Sequence, residues 1–452
     1  MKHITEAARV VPVMAETDVL VVGSGPAGLA AALSAAREGM STMLVERYGC
    51  FGGVITQVGI GAIAWYRHEG TVDTQGIGIE FEKRAVEEGA AVQYPQIKSA
   101  ILDTEMFKYV ADNLVQEAGI TPLLHCLAVE AIIEGDSIKG IITQSKSGRQ
   151  AILAKRVIDA SGDADIAHLA GAPYYKNPKD EMMGVTVMFG CSGVNKERFL
   201  EYIMANPATY ADWGDNWEIE TTGKEDDMFT TYLAEPFDQA RRDGVIPEHI
   251  TSIGGSWGMP TDAGEVKGMN VLYTFGYDCT DVWDLTKAEI DGRYQAMLAI
   301  EAMRLYLPGY ENATLRTFAM TLGTRESRKI VGRYNLTGHD VRNEARFEDS
   351  IGIFPEFLDG HSVLILPTTG RYFHVPFGII VPQKVENLLV AGRCVAGDKI
   401  SHAATRSMMC CAVTGQGAGV AAAVSVKDDV RCSAVDVNKV QKALEKQGVR
   451  LF

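Results

Sequence analysis

The sequence lacks the closely spaced ligands that bind zinc or an iron–sulfur cluster. Its eight cysteines are scattered, no two of them form a Cys-x-x-Cys pair, and its nine histidines form no His-x-His or His-Glu-x-x-His motif. Zinc ribbons and cysteine-bound clusters depend on such spacings. We therefore expect no metal site and, in a chain of this length, the reduced thiols of a cytosolic protein.

An excess of basic residues and a long apolar run are also missing. Lys and Arg number 43 against 58 Asp and Glu, so the net charge of −15 offers no surface for nucleic-acid phosphates. No stretch of eighteen apolar residues occurs, and the N-terminus has neither the apolar core nor the cleavage site of a signal peptide. The sequence thus predicts a cytoplasmic protein without a membrane span.

What the sequence does contain is a dinucleotide-binding fingerprint, VVGSGPAG, at residues 21–28. The pattern predicts a buried strand over 17–23, a helix over 26–38 and a second strand over 41–46. Glu46, at the end of that strand, suits a ribose hydroxyl pair, and its charge disfavours the 2′-phosphate of NADP. Because the fingerprint occurs once, we expect one tightly held dinucleotide rather than separate FAD and NAD domains.

Periodic patterning predicts three further helices, over 102–120, 286–307 and about 410–426. Thr286 and Glu289 form a capping box for the second of them. The third is small and apolar throughout, which indicates close packing against a backbone.

The remaining chain is predicted mostly as strands and loops. β-rich runs between residues 122 and 162 predict an antiparallel meander inserted into the larger α/β sheet, and 385–392 predicts another buried strand. The segment from about 172 to 385 is dense in aromatic and acidic residues. Its tryptophans are predicted to pack in a core or an interface, and they are Trp213, Trp217 and Trp283. The length of 452 residues favours more than one domain.

Four stretches of the chain resemble one protein family. They are residues 1–53, AKRVIDASGDADIAHLAGAPY at 154–174, TLGTRESRKIVGRYNLTGHDV at 321–341 and VENLLVAGRCVAGDKISHAATRSMMCCAVTGQGAG at 385–419. They are similar to the FAD-dependent oxidoreductase family that groups with HdrA-like and succinate dehydrogenase-like flavoproteins.

The resemblance implies an α/β fold with two domains. The first is a glutathione reductase-type Rossmann FAD-binding domain with an inserted β-meander, formed by residues 1–171 and 385–452. The second is an α+β substrate domain, or cap, over residues 172–384.

The resemblance also implies which residues bind FAD. The glycine turn and the helix start would meet the pyrophosphate, Glu46 with Arg47 would bind the adenosine ribose, and Val129 would meet the adenine through its backbone. Asp398 would accept hydrogen bonds from the ribityl chain or the pyrophosphate region. The other implied FAD-binding residues are Gly23, Gly25, Pro26, Ala27, Gly28, Gly52, Gly53, Gly162 and Gly397.

The segment SHAATR is the predicted centre of the chemistry. His402 and Arg406 lie four residues apart, so a helix would project both from one face, and the pair is similar to the HGxxR motif of fumarate reductase-like flavoproteins. Three roles stay open for Arg406: an anchor for a substrate, a partner of the flavin ring, or a structural ion pair. Arg325 either joins an ion-pair network with Glu326 and Arg328 or points into the active site.

Three further residues have two interpretations each. Tyr372 and His374, in GRYFHVPFG, are alternative proton donors or satisfied structural residues. Cys50 is a packing residue, or a thiol or covalent attachment point near the flavin.

The leading hypothesis is an FAD-dependent oxidoreductase that transfers hydride between flavin N5 and a small organic substrate, anionic or carbonyl-bearing. The reaction would be reduction of an activated C=C bond, the reverse desaturation, or oxidation of a C–H bond beside a heteroatom, with His402 handling the proton. The alternative is a flavoprotein electron-transfer subunit that works with a redox partner protein. A non-catalytic FAD-stabilised protein is a third hypothesis, and a homo-oligomer is compatible with all three.

Overall fold

The computed structural model describes residues 2–63, 67–68, 72–93, 100–206, 216–220 and 232–452. The main sheet contains five parallel strands of mostly apolar residues, as expected of strands that are covered on both faces. Their order across the sheet is Thr121–Leu123, Thr42–Val45, Val13–Val22, Gly148–Asp159 and Leu388–Val390. The fold is therefore mixed α/β and of Rossmann type.

The predicted antiparallel meander is confirmed. Leu127–Glu134, Ser137–Ser145 and Gly148–Asp159 are consecutive antiparallel strands. The last strand belongs to both parts of the sheet, because residues 148–153 pair with the meander and residues 157–159 pair in parallel with Leu388–Val390.

The carboxyl ends of the parallel strands meet at one edge of the sheet, and this edge positions the site described below. The backbone N–H of Gly23 donates to the carbonyl of Val45 at 2.8 Å, and that of Ala160 donates to the carbonyl of Val22 at 2.8 Å. Ligands of open α/β sheets bind outside this end of the strands.

Two helices pack on each other behind the sheet. The fingerprint helix is Pro26–Arg37, and the C-terminal core helix is Met408–Lys427. A Cβ atom on Gly419 would lie 2.2 Å from the carbonyl oxygen of Ala31, so the two backbones are in contact. The predicted close packing of this segment on a backbone is confirmed.

The C-terminal core helix also passes a test for membrane spans by length and composition. It is the one helix among the described residues that does so, and 94% of its most apolar window is buried inside the protein. Its packing on the fingerprint helix accounts for its apolar composition.

A second hydrophobic core lies on an antiparallel sheet from the middle of the chain. The order of its strands is Tyr232–Leu233, Ile253–Ser256, Val266–Leu272, Phe189–Ser192 and Thr314–Phe318. The long helix, Val282–Tyr306, contributes its small residues to this core, and a Cβ on Gly292 would lie 2.3 Å from Cγ2 of Val187.

The first core draws on more of the chain than the parallel sheet does. Phe354, Phe373 and Ile379 are buried in it, although they belong to the segment predicted as the substrate domain. The division into 1–171 with 385–452 and 172–384 stays a prediction.

The remaining described helices and strands are short. The helices are Ile77–Glu87, Met106–Glu117, Asp165–Leu169, Lys196–Ala205, Glu235–Arg242, Gly338–Arg342, Lys399–Thr405 and Val437–Lys446, and the strands are Arg67–His68, Val72–Asp73, Ala91–Gln93, Ala100–Leu102, Tyr174–Tyr175, Glu218–Glu220, Lys329–Ile330, Ser350–Pro355, Leu358–Gly360, Val363–Ile365 and Tyr372–Pro376. The helix predicted over 102–120 is thus Met106–Glu117.

The capping box predicted at Thr286 is wrong. The long helix begins one turn earlier, because the carboxylate of Asp281 accepts hydrogen bonds from the backbone N–H groups of Trp283 and Asp284 at 2.9 and 3.1 Å. The hydroxyl of Thr286 donates to a carbonyl inside the helix, and Glu289 accepts from residues of another segment.

The tryptophans divide in three ways. Trp283 is 80% exposed, so it does not pack in a core of this chain, and the interface alternative stays a prediction. Trp217 is half-buried, and Trp213 lies outside the described residues.

Substitution of Gly419 by alanine tests the contact between the two helices. In an unconstrained helix Gly→Ala stabilises by about 1 kcal/mol, whereas the overlap at Ala31 should make Gly419→Ala destabilising by about 1–3 kcal/mol. The matched control is Gly417→Ala on the same helix, whose Cβ would meet the terminal Cδ1 of Ile351 at 2.6 Å. Thermal unfolding should show a larger loss for Gly419→Ala. A gain in stability at Gly419 would contradict the contact.

Candidate cofactor and substrate site

A cavity of about 830 Å³ lies at the carboxyl edge of the parallel sheet. One part of its wall comes from the fingerprint turn and from the strand ends, including Gly23, Glu46 and Gly392. Another part comes from the second core and its neighbouring segments, including Tyr273 and Arg325. A cavity of this size is in the range of cofactor and small-molecule sites.

The glycine turn is built for close approach to its backbone. Gly23 has a φ of +95°, and a Cβ on Gly28 would lie 1.8 Å from the carbonyl oxygen of Gly23. A Cβ on Gly53 would lie 2.4 Å from the Cα of Gly25. The fingerprint helix has no acidic residue in its first turn, so its N-terminal N–H groups can favour a negative phosphate.

Glu46 ties the second strand to the glycine turn. One carboxylate oxygen accepts from the N–H and the hydroxyl of Ser24 at 3.0 and 2.6 Å, and the other accepts from the N–H of Tyr48 at 3.0 Å. Glu46 and its neighbour Arg47 both line the cavity. Val129 is not among the described lining residues, to which this part of the chain contributes Cys126, Leu127 and Ala128. The backbone contact of Val129 with the adenine stays a prediction.

Asp398 caps a helix and is not among the described residues that line the cavity. Both of its carboxylate oxygens accept backbone hydrogen bonds: one from Ile400 and Ser401 at the start of helix Lys399–Thr405, the other from Gly338 at 2.9 Å. Neither Asp398 nor Gly397 is among the described residues that line the cavity. The carboxylate therefore caps a helix, and its role toward the ribityl chain or the pyrophosphate region stays a prediction.

Arg393 is a lining residue that the sequence reasoning missed. Its guanidinium donates to the carbonyl of Gly162 at 2.9 Å, to the carboxylate of Asp163 at 2.6 Å and to the carbonyl of Thr324. The sequence does contain a signal for Arg393, because this residue follows the buried strand Leu388–Val390 and Gly392. Glu46 similarly follows the buried strand Thr42–Val45.

His402 is buried beside the cavity wall, and its role in handling the proton stays a prediction. It is 1% exposed, it is not among the described lining residues, and its Nε2 donates to the carbonyl of Arg325 at 3.0 Å. Burial, together with the nearby charge of Lys329, holds the pKa of the imidazole well below its usual value. Arg406, at the C-cap of the same helix, lines the cavity, whereas His402 is buried.

Tyr372 and His374 are also outside the described cavity wall. The ring of Tyr372 packs under the guanidinium of Arg346 at 3.9 Å, and Nδ1 of His374 accepts from the backbone N–H of Phe347 at 3.1 Å. Burial lowers the pKa of His374. These contacts favour the structural interpretation of both residues, and the proton-donor interpretation stays a prediction.

Cys50 is a buried free thiol that contacts Thr56 at 3.7 Å. It is not among the described residues of the cavity wall, and burial raises its pKa. These observations favour the packing interpretation over a flavin attachment point. Among the described residues, no group of three or more His, Cys, Asp or Glu is arranged to hold a metal ion.

Arg325 and Arg406 lie in the same cavity wall as Tyr273, Asn270 and Asp359. The guanidinium of Arg325 donates to the carbonyl of Gly184 at 2.7 Å and to the side chain of Asn270 at 3.2 Å, and it lies 4.0 Å from the ring centre of Tyr273. The guanidinium of Arg406 lies 3.2 Å from the carboxylate of Asp359.

A buried charge cluster lies behind Arg325. The carboxylate of Glu326 is 2.6 Å from Nζ of Lys329 and 3.1 Å from Nε2 of His361, and it accepts from the side chain of Asn177 at 2.5 Å. Although burial alone would raise it, the hydrogen bond from His361 and the charge of Lys329 hold the pKa of Glu326 below its usual range. The predicted network around Glu326 exists, but its cation is Lys329 rather than Arg325.

Comparison with known proteins then identifies the family. The sequence pattern described as FAD dependent oxidoreductase matches residues 18–444 of this chain. The chain belongs to the FAD-dependent oxidoreductase family. It is an enzyme that uses FAD.

Individual relatives match only part of the chain. A thiamine thiazole synthase of Methanococcus vannielii is 30% identical over 171 residues, which are 33% of this chain and 58% of that protein. The 6-methylpretetramide 4-monooxygenase of Streptomyces rimosus is 28% identical over 176 residues, or 35% of this chain and 42% of that protein. This chain therefore spans less than two thirds of either relative.

A solved structure is similar over more of the chain but at lower identity. It is a geranylgeranyl bacteriochlorophyll reductase-like protein from Thermoplasma acidophilum, with a TM-score of 0.46 and 13% identity over 96% of this chain and 82% of that chain.

The described residues fit FAD. Gly28 lies in the turn that a pyrophosphate must approach closely, and Gly53 packs against Gly25 of that turn; a Cβ at either position would overlap with backbone. Glu46, Arg47 and the backbone of residues 126–128 supply polar groups in the same cavity wall. Gly392 and Met408, the first residue of the C-terminal core helix, also line the cavity.

Removal of the Glu326 carboxylate should show how much the buried cluster contributes. Glu326→Gln leaves the Lys329 charge buried without a counter-charge, so we expect a loss of about 3–5 kcal/mol in the free energy of unfolding by denaturant titration. The double variant Glu326→Gln/Lys329→Met should recover most of it.

The pH dependence follows from the lowered pKa of Glu326. Its contribution is present above the unfolded pKa of about 4.3 and is lost as the pH falls below it, so acid should destabilise the unmodified protein more than the double variant. The control is Asp428→Asn, which opens the exposed pair with Lys439 and should cost about 1 kcal/mol or less. Equal losses for Glu326→Gln and Asp428→Asn would contradict this account.

Proposed function

We propose that the enzyme transfers hydride between FAD and a small organic carboxylate, reducing a C=C bond conjugated to the carboxylate or forming it in the reverse direction. The observation that carries the proposal is the pair of guanidiniums, Arg325 and Arg406, in one cavity wall with Asp359. We include in the proposal a glutathione reductase-type arrangement of the FAD-binding residues.

The charges of this wall favour an anion. Arg325 donates to two uncharged acceptors, a backbone carbonyl and Asn270, whereas Arg406 pairs with Asp359. Two cations thus face one carboxylate among these residues. Because Arg325 is 9% exposed, its charge is poorly screened by water, and a bound carboxylate would compensate it.

Arg406 also has unused hydrogen-bonding capacity. Its Nε is buried and has no hydrogen-bond partner among the described residues. A buried donor without a partner is costly, and a planar carboxylate is the group that guanidinium donors recognise best. This favours substrate anchor over the other two roles of Arg406, with the ion pair to Asp359 orienting the side chain.

FAD supplies the hydride and electron-pair chemistry when it is bound. The glycine turn, Glu46 and Arg47 would bind the cofactor, and Arg325 with Arg406 would orient the substrate. Tyr273 would hold the proton that must be exchanged, in place of His402. Burial raises the pKa of Tyr273, although Arg325 opposes this, so its hydroxyl stays protonated at neutral pH and can donate.

The partial relatives do not select the substrate. The thiazole synthase and the monooxygenase are matched over about a third of this chain, so they favour no particular reaction. No contact among the described residues favours the electron-transfer alternative, which stays a prediction.

Ligand titration tests the anion site. We would add carboxylates of two to six carbons, and their neutral amides, to the oxidised FAD-loaded protein and follow the visible absorbance. At least one carboxylate should bind about tenfold or more tightly than its amide, and Arg325→Gln or Arg406→Gln should remove that preference. The control is Arg431→Gln, an exposed arginine that pairs with Asp136. Carboxylate and amide binding of equal strength throughout would refute the anion site.

Substitution of Tyr273 tests the proton role. Tyr273→Phe should slow reoxidation of the reduced protein by the bound unsaturated carboxylate about 10²–10⁴-fold. The dissociation constant of the carboxylate should change by less than about threefold, because the phenyl ring still packs under the guanidinium of Arg325. Tyr109→Phe, at an exposed position outside the described cavity wall, is the control. An unchanged rate and pH profile for Tyr273→Phe would exclude this residue as the donor.

A further inference from the structure

The long helix, Val282–Tyr306, has apolar residues on its outer face as well as on its inner face. Its inner face packs on the second core through small residues such as Ala288, Gly292 and Ala296. A helix at the surface of a soluble domain normally presents charged and polar residues outward, so an apolar outer face indicates a covering partner.

The outer face forms a continuous row, which we call the outer seam. Its apolar side chains are between 47% and 80% exposed, and they are Trp283, Ile290, Tyr294, Met297 and Leu305. Two exposed charged residues, Lys287 and Glu301, complete the row. From Trp283 to Glu301 the positions alternate in steps of four and three residues, the spacing of helices that pack along their length.

The outer parts of the seam are symmetric about Tyr294. Lys287 and Glu301 lie seven residues on either side of it, and Trp283 and Leu305 lie eleven residues on either side. If two such helices cross antiparallel at Tyr294, each charge meets the opposite charge and Trp283 meets Leu305, while Ile290 and Met297 flank the crossing point. Such self-complementarity is what a two-fold interface requires, because each contact occurs twice.

We propose that two copies of this chain associate through their outer seams, antiparallel about Tyr294, with Lys287 of one copy facing Glu301 of the partner subunit. Lys287 has no carboxylate within ion-pair distance among the described residues of its own chain. Glu301 has a long contact of 3.4 Å with the exposed Arg304. Both charges are therefore available for the contact between copies.

The proposed interface adjoins the cofactor cavity. Val282 and Leu285, at the start of the long helix, line that cavity, and Trp283 lies between them. The seam from Trp283 to Leu305 is about 33 Å long at 1.5 Å per residue. The second copy would therefore cover the outer side of the cavity rim without contributing to the arginine wall.

Light scattering after size-exclusion chromatography of the FAD-loaded protein tests the proposal across a range of concentrations. A dimer is expected. Tyr294→Glu places two like charges at the two-fold axis and should raise the dimer dissociation constant at least about a hundredfold, while flavin content and circular dichroism stay unchanged. The matched control, Tyr109→Glu, alters an exposed tyrosine on helix Met106–Glu117 and should leave the dimer intact.

A charge exchange tests the register. Lys287→Glu creates two Glu–Glu contacts per dimer and should weaken association about tenfold or more, and Lys287→Glu/Glu301→Lys should return it to within about threefold of the unmodified protein. A monomer at all concentrations, or a dimer insensitive to Tyr294→Glu, would refute the interface. Failure of the double variant to recover would refute the antiparallel register. Neither outcome bears on the anion site.

Discussion

The site depends on contact between the backbones of the fingerprint helix and the C-terminal core helix. A Cβ on Gly415 would lie 2.1 Å from the carbonyl oxygen of Ala27, one turn before the similar contact of Gly419 with Ala31. Glycine is required here for space rather than for backbone conformation, since both residues lie within a regular helix. The contact links the two ends of the chain, which are nearly four hundred residues apart.

This contact gives the cavity two walls from distant parts of the sequence. The strand Leu388–Val390 joins the parallel sheet beside Gly148–Asp159. Gly392 follows it with a φ of +89°, and a Cβ on this glycine would lie 3.0 Å from Cβ of Ala27. Arg393 can therefore reach the carbonyl of Gly162 and the carboxylate of Asp163. The carboxyl edge of the sheet is held together by side chains as well as by strand pairing.

The sequence predicted the parts of the fold whose signals are local. The strand–turn–helix unit, the meander and the C-terminal core helix were read correctly, because each depends on glycine positions or apolar runs within a short segment. The proton donors stay a prediction. Helical spacing says that His402 and Arg406 are neighbours, but it does not say which of them faces a cavity. Tyr273, Asn270 and Asp359 carry no motif, and only tertiary packing brings them to Arg325.

The distribution of charge separates structural from functional arginines and lysines. Lys329 is fully buried, and the carboxylate of Glu326, 2.6 Å from its Nζ, compensates its charge within the protein. Arg406 is only partly compensated, by Asp359, and Arg325 is held by uncharged acceptors. Burial of a cation without a counter-ion is unfavourable in the free protein. In the proposed site, this charge in the cavity wall would become favourable when an anion binds.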